Sequence, residues 1–510
     1  MTDAAGPPEH DPHEFESHEA LTREAEVLRG RRESLERLRA TGIEPFALSF
    51  APDARAADLH AEFNGLEPDV ETDHRATVAG RVVLARRHGK LSFLVIREAT
   101  GELQLFCEKA TLGPAGFAVV GDVDLGDIVG ASGLVMTTKR GELSLKVDRL
   151  TLLTKALRPL PEKWHGLQDP DLQQRRRYLH LATDPMPRRA VEARALVLRT
   201  IRSELDARGF LEVETPVLQD VAGGALAKPF VTHHNALDVD LRLRISLELY
   251  LKRLLVGGIE RVYEIGRNFR NEGIDRDHNP EFTMLELYQA YSDYEAMMEI
   301  TEILVTACAK AVRGSLQFAF QDRELDLTPP WPRITILGSV GEALGEPISL
   351  ATPDLADRAD RAGVNVDPRW GPGKIVLELY ERLVEPALFQ PTFVCDFPRE
   401  VSPLARVHRS DPGLTEHVDP VIGGVELGTG YSELTDPDDQ RERFERQQVE
   451  RAAGDEEAHP LDEDFLLALE HGMPPTGGLG IGIDRLLKVL LDAPSLRDLI
   501  MFPHHRPQGG

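Results

Sequence analysis

From Ala76 to Leu153 apolar and polar residues alternate in short runs, TVAGRVVLA, LSFLVI, LQLFCE, DIVGASGLV and LSLKVDRLTLL. Gly-bearing turns at His88-Gly89, Thr100-Gly101, Gly126 and Gly141 separate them. A period of two bounded by glycine predicts strands, and five such strands predict a small OB-type β-barrel over 76–155. Ahead of it, Glu16 to Arg39 carries Leu21, Val27, Leu28, Leu35 and Leu38 at near-helical spacing. This predicts an amphipathic helix, followed by a connector to residue 75 that Gly42 and Pro45 break. Residues 1–15 have almost nothing to bury and are expected to form a disordered tail. The stretch 156–189, rich in Pro, Arg and Gln, reads as a linker. From 190 to 510 a helix over 190–208, a strand over 210–214 and mixed segments to 291 predict an antiparallel sheet dressed with helices. A mostly helical insertion is expected at about 295–388, so the chain as a whole is α+β.

A length of 510 residues allows two to four domains. The 59 Lys and Arg against 85 Asp and Glu give a net charge of −26, so a polyanion can be gripped only by a local basic patch. One exists. Between Ala76 and Thr100, Arg81, Arg86, Arg87, Lys90 and Arg97 face a single Glu98, and Phe93 and Phe106 offer aromatic faces beside them. Such a pairing suits unstacked bases, although two Phe in a barrel also read as core. No apolar run approaches the roughly 18 residues of a membrane span. The acidic start lacks the basic and apolar regions of a secretory signal. Cys107, Cys308 and Cys395, an odd number without C-x-x-C spacing, point to a reducing cytoplasm and give no thiolate metal site.

Three stretches carry chemistry. In residues 261–291 two alternating segments, Val262 to Phe269 and Glu281 to Tyr288, flank a polar loop and predict an antiparallel hairpin. Alternation groups Arg270 with Glu272 and Glu286 with Tyr288 on one face, with His278 in the loop able to reach a phosphate. In GGLGIGIDRLLKVLLDAP from Gly477, the spacing of Gly478, Gly480 and Gly482 is neither that of a P-loop nor that of a dinucleotide turn. Alternate glycines instead let a planar ligand approach the backbone, and Asp484-Arg485 opens a helix beyond them. In residues 416–436, Asp419 and Glu426 flank the Gly423-Gly424 turn and supply hard oxygens for Mg²⁺ shared with phosphates. Tyr431 and Glu433 point to one face as a receptor for an ammonium. Taken singly, each stretch reads equally well as a surface hairpin, a tightly packed strand or solvated carboxylates.

Together and in this order the stretches resemble the three signature motifs of class II aminoacyl-tRNA synthetases: GFLEVETPVL (209–218), FRNEGIDRDHNPEF (269–282) and GLGIGIDR (478–485). Within that class the chain resembles lysyl-tRNA synthetases of the bacterial type from about Arg31 to Pro507, including VAGRVVLARRHGKLSF, LPEKWHGLQD and PFVTHHNALD. The resemblance implies a homodimer, an anticodon-binding barrel, and ATP-dependent activation of L-lysine followed by transfer to the 3′ end of tRNA(Lys). It makes Arg270 and Arg485 catalytic. It assigns Gly223, Gly224 and Glu248 to the lysine α-amino group, Arg270 to the carboxylate, and Glu433 and Tyr288 to the ε-ammonium, with Glu286, Thr429, Tyr431 and Gly480 in the same pocket. ATP falls to Arg270, Glu272, His278, Asn279, Phe282, Glu426 and Arg485, Mg²⁺ to Asp419 and Glu426, and the anticodon to Arg86, Phe93 and Gln104.

Asp277 stands where the family often has an Arg, and Arg276 is expected to take over its phosphate contact. Thr429, Asp419 and Leu247 replace a frequent Asn, Glu and Pro. The alternatives are an aspartyl or asparaginyl enzyme, whose substrate side chain calls for a cation where Glu433 puts an anion, and a catalytically weak paralogue acting as an RNA-binding or regulatory protein. An enzyme that transfers lysine to an elongation factor would lack the barrel.

Overall fold

The computed structural model describes residues 12–161, 167–452 and 460–506. The chain divides into units of 1–167 and 168–510. In the first unit, strands Glu71–His88, Leu91–Arg97, Glu102–Glu108, Leu143–Thr154 and Ile128–Thr137 close into a barrel in that order. Alternation decides which side chains fill it. Ser92, Leu94 and Ile96 point inward, and Leu94 and Ile96 join Leu105, Val129 and Val147 in the core. Leu91, Phe93 and Val95 point outward and are half-buried. The N-terminal helix, Pro12–Ala40, begins inside the stretch expected as a tail, of which residues 1–11 lie outside the described residues. Its buried Arg31 donates to the carbonyls of Leu125, Ala156 and Arg158 at 2.8–3.0 Å, which fixes the helix to the barrel rim. A helix at Lys109–Asp122 is absent from the sequence expectation, because Gly113 (φ 71°) and Pro114 interrupt it and hide its period.

The second unit is built on a nine-stranded sheet. Its path runs Arg333–Thr335, Thr392–Cys395, His417–Ile422, Gly428–Ser432, Thr476–Gly482, Glu281–Ala290, Arg261–Phe269 and Leu211–Glu212, and the two-residue strand Val425–Glu426 pairs beside His417–Ile422. Both end pairs are parallel and the interior pairs antiparallel. Helices Pro185–Asp206 and Tyr294–Arg313 cover one face, where Val197, Ile201, Met297 and Leu304 share a core with Leu285, Leu287, Leu479 and Ile481. The residues between those apolar ones, Glu286, Tyr288, Gly478 and Gly480, therefore belong to the opposite face.

Two further expectations differ from the structure. The segment read as a linker carries helices Pro170–Arg175 and Arg177–Thr183 and the start of a third, while its residues 162–166 lie outside the described residues. Its prolines start helices: Asp169 and Asp184 each accept a backbone N–H two residues on, ahead of a Pro at the first helical position. Arg177, wholly buried, donates to the carbonyls of Arg497 (2.8 Å) and Met501 (3.1 Å), so this segment is part of the second unit. The stretch 295–388 is not purely helical. It holds the hairpin Gln317–Phe320 with Arg323–Asp326 and the sheet strand Arg333–Thr335, strands of three or four residues that are too short to show a period. No helix among the described residues is long and apolar enough to cross a membrane.

The alternation in the barrel separates two neighbouring substitutions. Leu94→Ala leaves a cavity in the core and should cost about 2–5 kcal/mol. Phe93→Ala, on the outer face, should cost well under half of that. Thermal unfolding of the two variants checks this, and equal losses would contradict the assigned faces.

Candidate active site

The open face of the sheet has a trough down its middle strand. Gly478 of Thr476–Gly482 lies in register between Tyr288 and Tyr431 of the flanking strands, and Gly480 lies between Glu286 and Thr429. Each row thus places a functional side chain on either side of a missing one. A Cβ at Gly478 would stand 1.9 Å from Glu433 Oε1 and 2.5 Å from Tyr288 Cε1. At Gly480 the nearest atom would be the flexible Met284 Cε at 3.2 Å.

A cavity of about 300 Å³ sits over this trough. Gly224, Glu248, Arg270, Glu286, Tyr288, Thr429, Tyr431, Glu433 and Gly480 all line it. Gly223 is buried beside it without lining it. Gly224 has φ +91° and approaches Ser246 so closely that a Cβ would lie 2.7 Å from its Oγ, so no side chain fits there. Three carboxylates at the inner end are buried: Glu248, Glu286 and Glu433. Glu286 accepts from Ser246 Oγ and Leu247 N–H, both at 3.0 Å, and from Tyr288 O–H at 3.4 Å. Burial nevertheless pushes its carboxyl up to about 7. Glu433 Oε1 has no hydrogen-bond partner among the described residues, and burial raises this carboxyl also, against the pull of Lys252. Lys252, which sequence reasoning passed over, donates to Glu248 at 2.5 Å and is ion-paired with Glu433. The only sequence signal was its spacing of four from Glu248 in LELYLKR.

A second cavity of about 220 Å³ is lined by Arg270, Glu272, His278, Asn279, Phe282, Glu426 and Arg485. Arg270, Glu426 and Thr429 line both cavities. The Arg270 guanidinium lies 5.1 Å from the Phe282 ring centre, and its Nε is buried without a partner among the described residues. Removal from water lowers its pKa, and Glu272 and Glu286 oppose the shift. Arg485 donates to the Glu426 carbonyl (2.8 Å) and carboxylate (3.1 Å). Its neighbour Asp484 accepts from Thr283 N–H at 2.8 Å and pairs with Arg194, which fixes the strand carrying Phe282. Glu272 and His278 are exposed, the latter held by Asp275 at 2.8 Å. Asn279 is buried and donates to the Glu281 carbonyl at 2.6 Å, leaving its Oδ1 free. Asp277 pairs with Lys488. Arg276, expected to replace the missing Arg at 277, donates instead to the Pro494 carbonyl at 3.2 Å and does not line the cavity. The loop turns at Asp275, whose carboxylate caps the N–H groups of both Asp277 and His278, and this sends Arg276 the other way.

Asp419 and Glu426 face the first cavity from adjacent strands. Burial in the cleft raises the Glu426 carboxyl, Arg485 pulls it down and Asp419 pushes it up again. Two like charges so placed, with a third carboxyl, Glu385, pushed up to about 7 by burial and by Glu426, fit a hard divalent cation. Among the described residues no group of three or more His, Cys, Asp or Glu side chains has a metal-holding arrangement, so the cation needs ligand oxygens as well. His417, also missed from sequence, orients Asp419. Its Nε2 lies 2.8 Å from both Asp419 Oδ1 and Thr429 Oγ1, its Nδ1 is 2.7 Å from Ser402 Oγ, and its ring stacks on Phe397 at 3.9 Å. In the barrel, Arg86 donates to Gln104 at 2.9 Å and lies 5.7 Å from the Phe93 ring centre, while Gln104, itself buried, donates to Ser144 at 2.8 Å. Phe93 meets Phe106 edge to face at 5.5 Å. Arg86, Phe93 and Phe106 lie on the outer face, and Gln104 is covered between Arg86 and Ser144.

The chain matches two protein families: tRNA synthetases class II (D, K and N) over residues 169–506, and the OB-fold nucleic acid binding domain over 76–153. The lysine–tRNA ligase of Moorella thermoacetica is 51% identical over 96% of this chain and 99% of its own length. That of Synechococcus sp. (strain CC9311) is 51% identical over 95% of this chain and 100% of its own.

The trough separates two glycine substitutions. Gly478→Ala collides with Glu433 and Tyr288 and should cost about 1–3 kcal/mol of stability. Gly480→Ala meets nothing closer than the flexible end of Met284 at 3.2 Å and should unfold close to wild type. Denaturant unfolding of both measures the difference, and equal stability would count against the register described.

Proposed function

The chain belongs to the class II lysine–tRNA ligases, and from that membership we propose that its 300 Å³ cavity receives lysine and its 220 Å³ cavity receives ATP. The enzyme activates lysine with ATP and passes it to tRNA. The observation that carries the assignment of the cavities is Arg270, which lines both and has a buried Nε with no partner among the described residues. A lysine carboxylate oxygen must attack the α-phosphorus of ATP, which brings two anions together. One guanidinium between them lowers their repulsion and holds them in line. The carboxylate oxygen forms the new bond to phosphorus, the bond to the β-phosphate oxygen breaks, and pyrophosphate leaves with the electron pair. The 3′ ribose hydroxyl of tRNA then attacks the carbonyl carbon and displaces AMP. The chemistry rests on charge neutralisation and alignment, so it requires no covalent nucleophile.

Glu248 and the Gly223-Gly224 backbone take the α-ammonium, and Glu433, Glu286 and Tyr288 the ε-ammonium. Tyr431, Thr429 and Gly480 shape the space between. Three buried carboxylates here support lysine over an acidic or amide side chain. Phe282 and Arg485 hold the adenine ring, Glu272 its amino group, and His278 and Asn279 the phosphate side. Enzymes of this class generally need a divalent metal. Asp419 and Glu426 would hold it as Mg²⁺, which when bound neutralises phosphate charge. The Arg86, Phe93 and Gln104 patch takes the anticodon of tRNA(Lys). Exposed Leu211, Val217 and Leu218 in the 209–218 segment support a homodimer. Three unpaired, buried cysteines support a cytoplasmic setting.

ATP-pyrophosphate exchange run with each of the twenty amino acids tests the reading, and lysine alone should support it. Arg270→Ala should lower that exchange by roughly 10²-fold or more with the fold intact by circular dichroism. Near-normal exchange in this variant would remove Arg270 from its role. Phe93→Ala should lower tRNA charging by one to two orders of magnitude, since a stacked base contributes about 1–3 kcal/mol. Exchange, which needs no tRNA, serves as the control on the same preparation, and unchanged charging would rule out stacking on Phe93.

A further inference from the structure

Lys252 has no task in the assignments above, yet it is wholly buried against the groups that do. It lies one turn beyond Glu248 on helix Glu248–Val256, with its ammonium 2.5 Å from Glu248 Oε1. The same ammonium is ion-paired with Glu433 Oε2 and stands 6.0 Å from the Tyr288 ring centre. One internal cation therefore ties the carboxylate assigned to the substrate's α-ammonium to the one assigned to its ε-ammonium. Both carboxylates also keep an oxygen for a ligand, since Lys252 takes Oε1 of one and Oε2 of the other.

The charges around the cavity show what this cation does. Glu248, Glu286 and Glu433 line the cavity together with Glu381, Glu385, Asp419 and Glu426, and Lys252 is the cation set directly against Glu248 and Glu433. Lysine, with two ammonium groups and one carboxylate, brings one net positive charge. Without Lys252 the buried Glu248 and Glu433 would lose the cation that draws both carboxyls down, which favours their protonated forms. We propose that Lys252 is a positioning residue, a fixed counter-charge that keeps Glu248 and Glu433 ionised and oriented for the two ammonium groups of lysine. The proposal rests on the assignment of lysine to this cavity. Burial alone would drive the Lys252 ammonium down, but Glu248 and Glu433 outweigh it and hold it above its ordinary range. The titratable groups around the cluster are Glu248 from the helix, Glu286 and Tyr288 from strand Glu281–Ala290, and Tyr431 and Glu433 from strand Gly428–Ser432 and just beyond it.

Calorimetric titration of L-lysine into the full-length protein, in buffers of differing ionisation enthalpy, reads affinity and proton release together. Lys252→Met should bind lysine about tenfold more weakly or worse. It should also release about one proton more per lysine than wild type, because a carboxyl that loses its cation starts protonated and must ionise on binding. Lys252→Arg retains the charge and should keep the wild-type proton count even where its affinity falls. A purely structural role would move stability without moving the proton count. A Met variant with wild-type affinity and proton release overturns the proposal. So does an Arg variant that releases the extra proton, and this arm decides the matter if the Met variant does not fold. A wild-type chain that binds no lysine overturns the pocket assignment first, and the role of Lys252 with it.

Discussion

Everything on the open face of the sheet depends on the absence of side chains along one strand. A central strand buried on both faces would ordinarily be a run of Val, Ile and Leu, and Thr476–Gly482 keeps that character only where Leu479 and Ile481 meet the helices. On the other face its glycines lower the floor by the depth of a side chain. The neighbouring strands then stand as walls, with tyrosines in one row and a carboxylate and a hydroxyl in the next. The same alternation that builds the core on one side therefore cuts the cavity on the other. A one-residue slip of register would put Leu479 and Ile481 into the cleft and glycine into the core, so core packing and site geometry are one requirement.

The floor also concentrates like charges. Glu248, Glu286 and Glu433 reach the inner end of the cavity from three segments, and Glu385, Asp419 and Glu426 crowd its other side. Burial raises most of these carboxyls, which means that their clustering stores repulsion and unmet solvation. Cations relieve it. Arg270, Arg485 and Lys252 are supplied by the chain, and the substrates bring the rest. Such an arrangement favours cationic ligands by electrostatics before any shape is matched, while two arginines, Arg270 and Arg485, line the cavity proposed for ATP.

Much of this was legible in the sequence, for reasons that are local. The hairpin of Arg261–Phe269 and Glu281–Ala290 declares itself by alternation, the barrel by five alternating runs, and the trough by glycine at every second position. What escaped depends on distant segments. Lys252 on an amphipathic helix reads as a solvated lysine until Glu433, 181 positions further on, is placed against it. His417 sits in an unremarkable apolar strand, and its part follows only from Ser402, Asp419 and Thr429 converging on it. The two replacements at 419 and 429, read separately as drift from the family, both bond that one ring. Arg276 was misplaced because sequence adjacency says nothing of the direction a capped turn gives a side chain. Proline misled in the 170–183 segment, where an Asp before it makes a helix start and not a break.

Arg270 belongs to two cavities, and that makes their occupancies thermodynamically linked. The guanidinium carries one charge and one conformational freedom, and whatever ordering the first ligand imposes on it the second ligand finds already done. With lysine and ATP in the two cavities as proposed, any such gain is reciprocal by necessity: lysine would tighten the hold on ATP by the same factor by which ATP tightens the hold on lysine. On that proposed assignment, once the carboxylate oxygen is bonded to phosphorus the two anions have become one group, and the side chain that would have united two ligands is left holding a single molecule with fewer charges to neutralise.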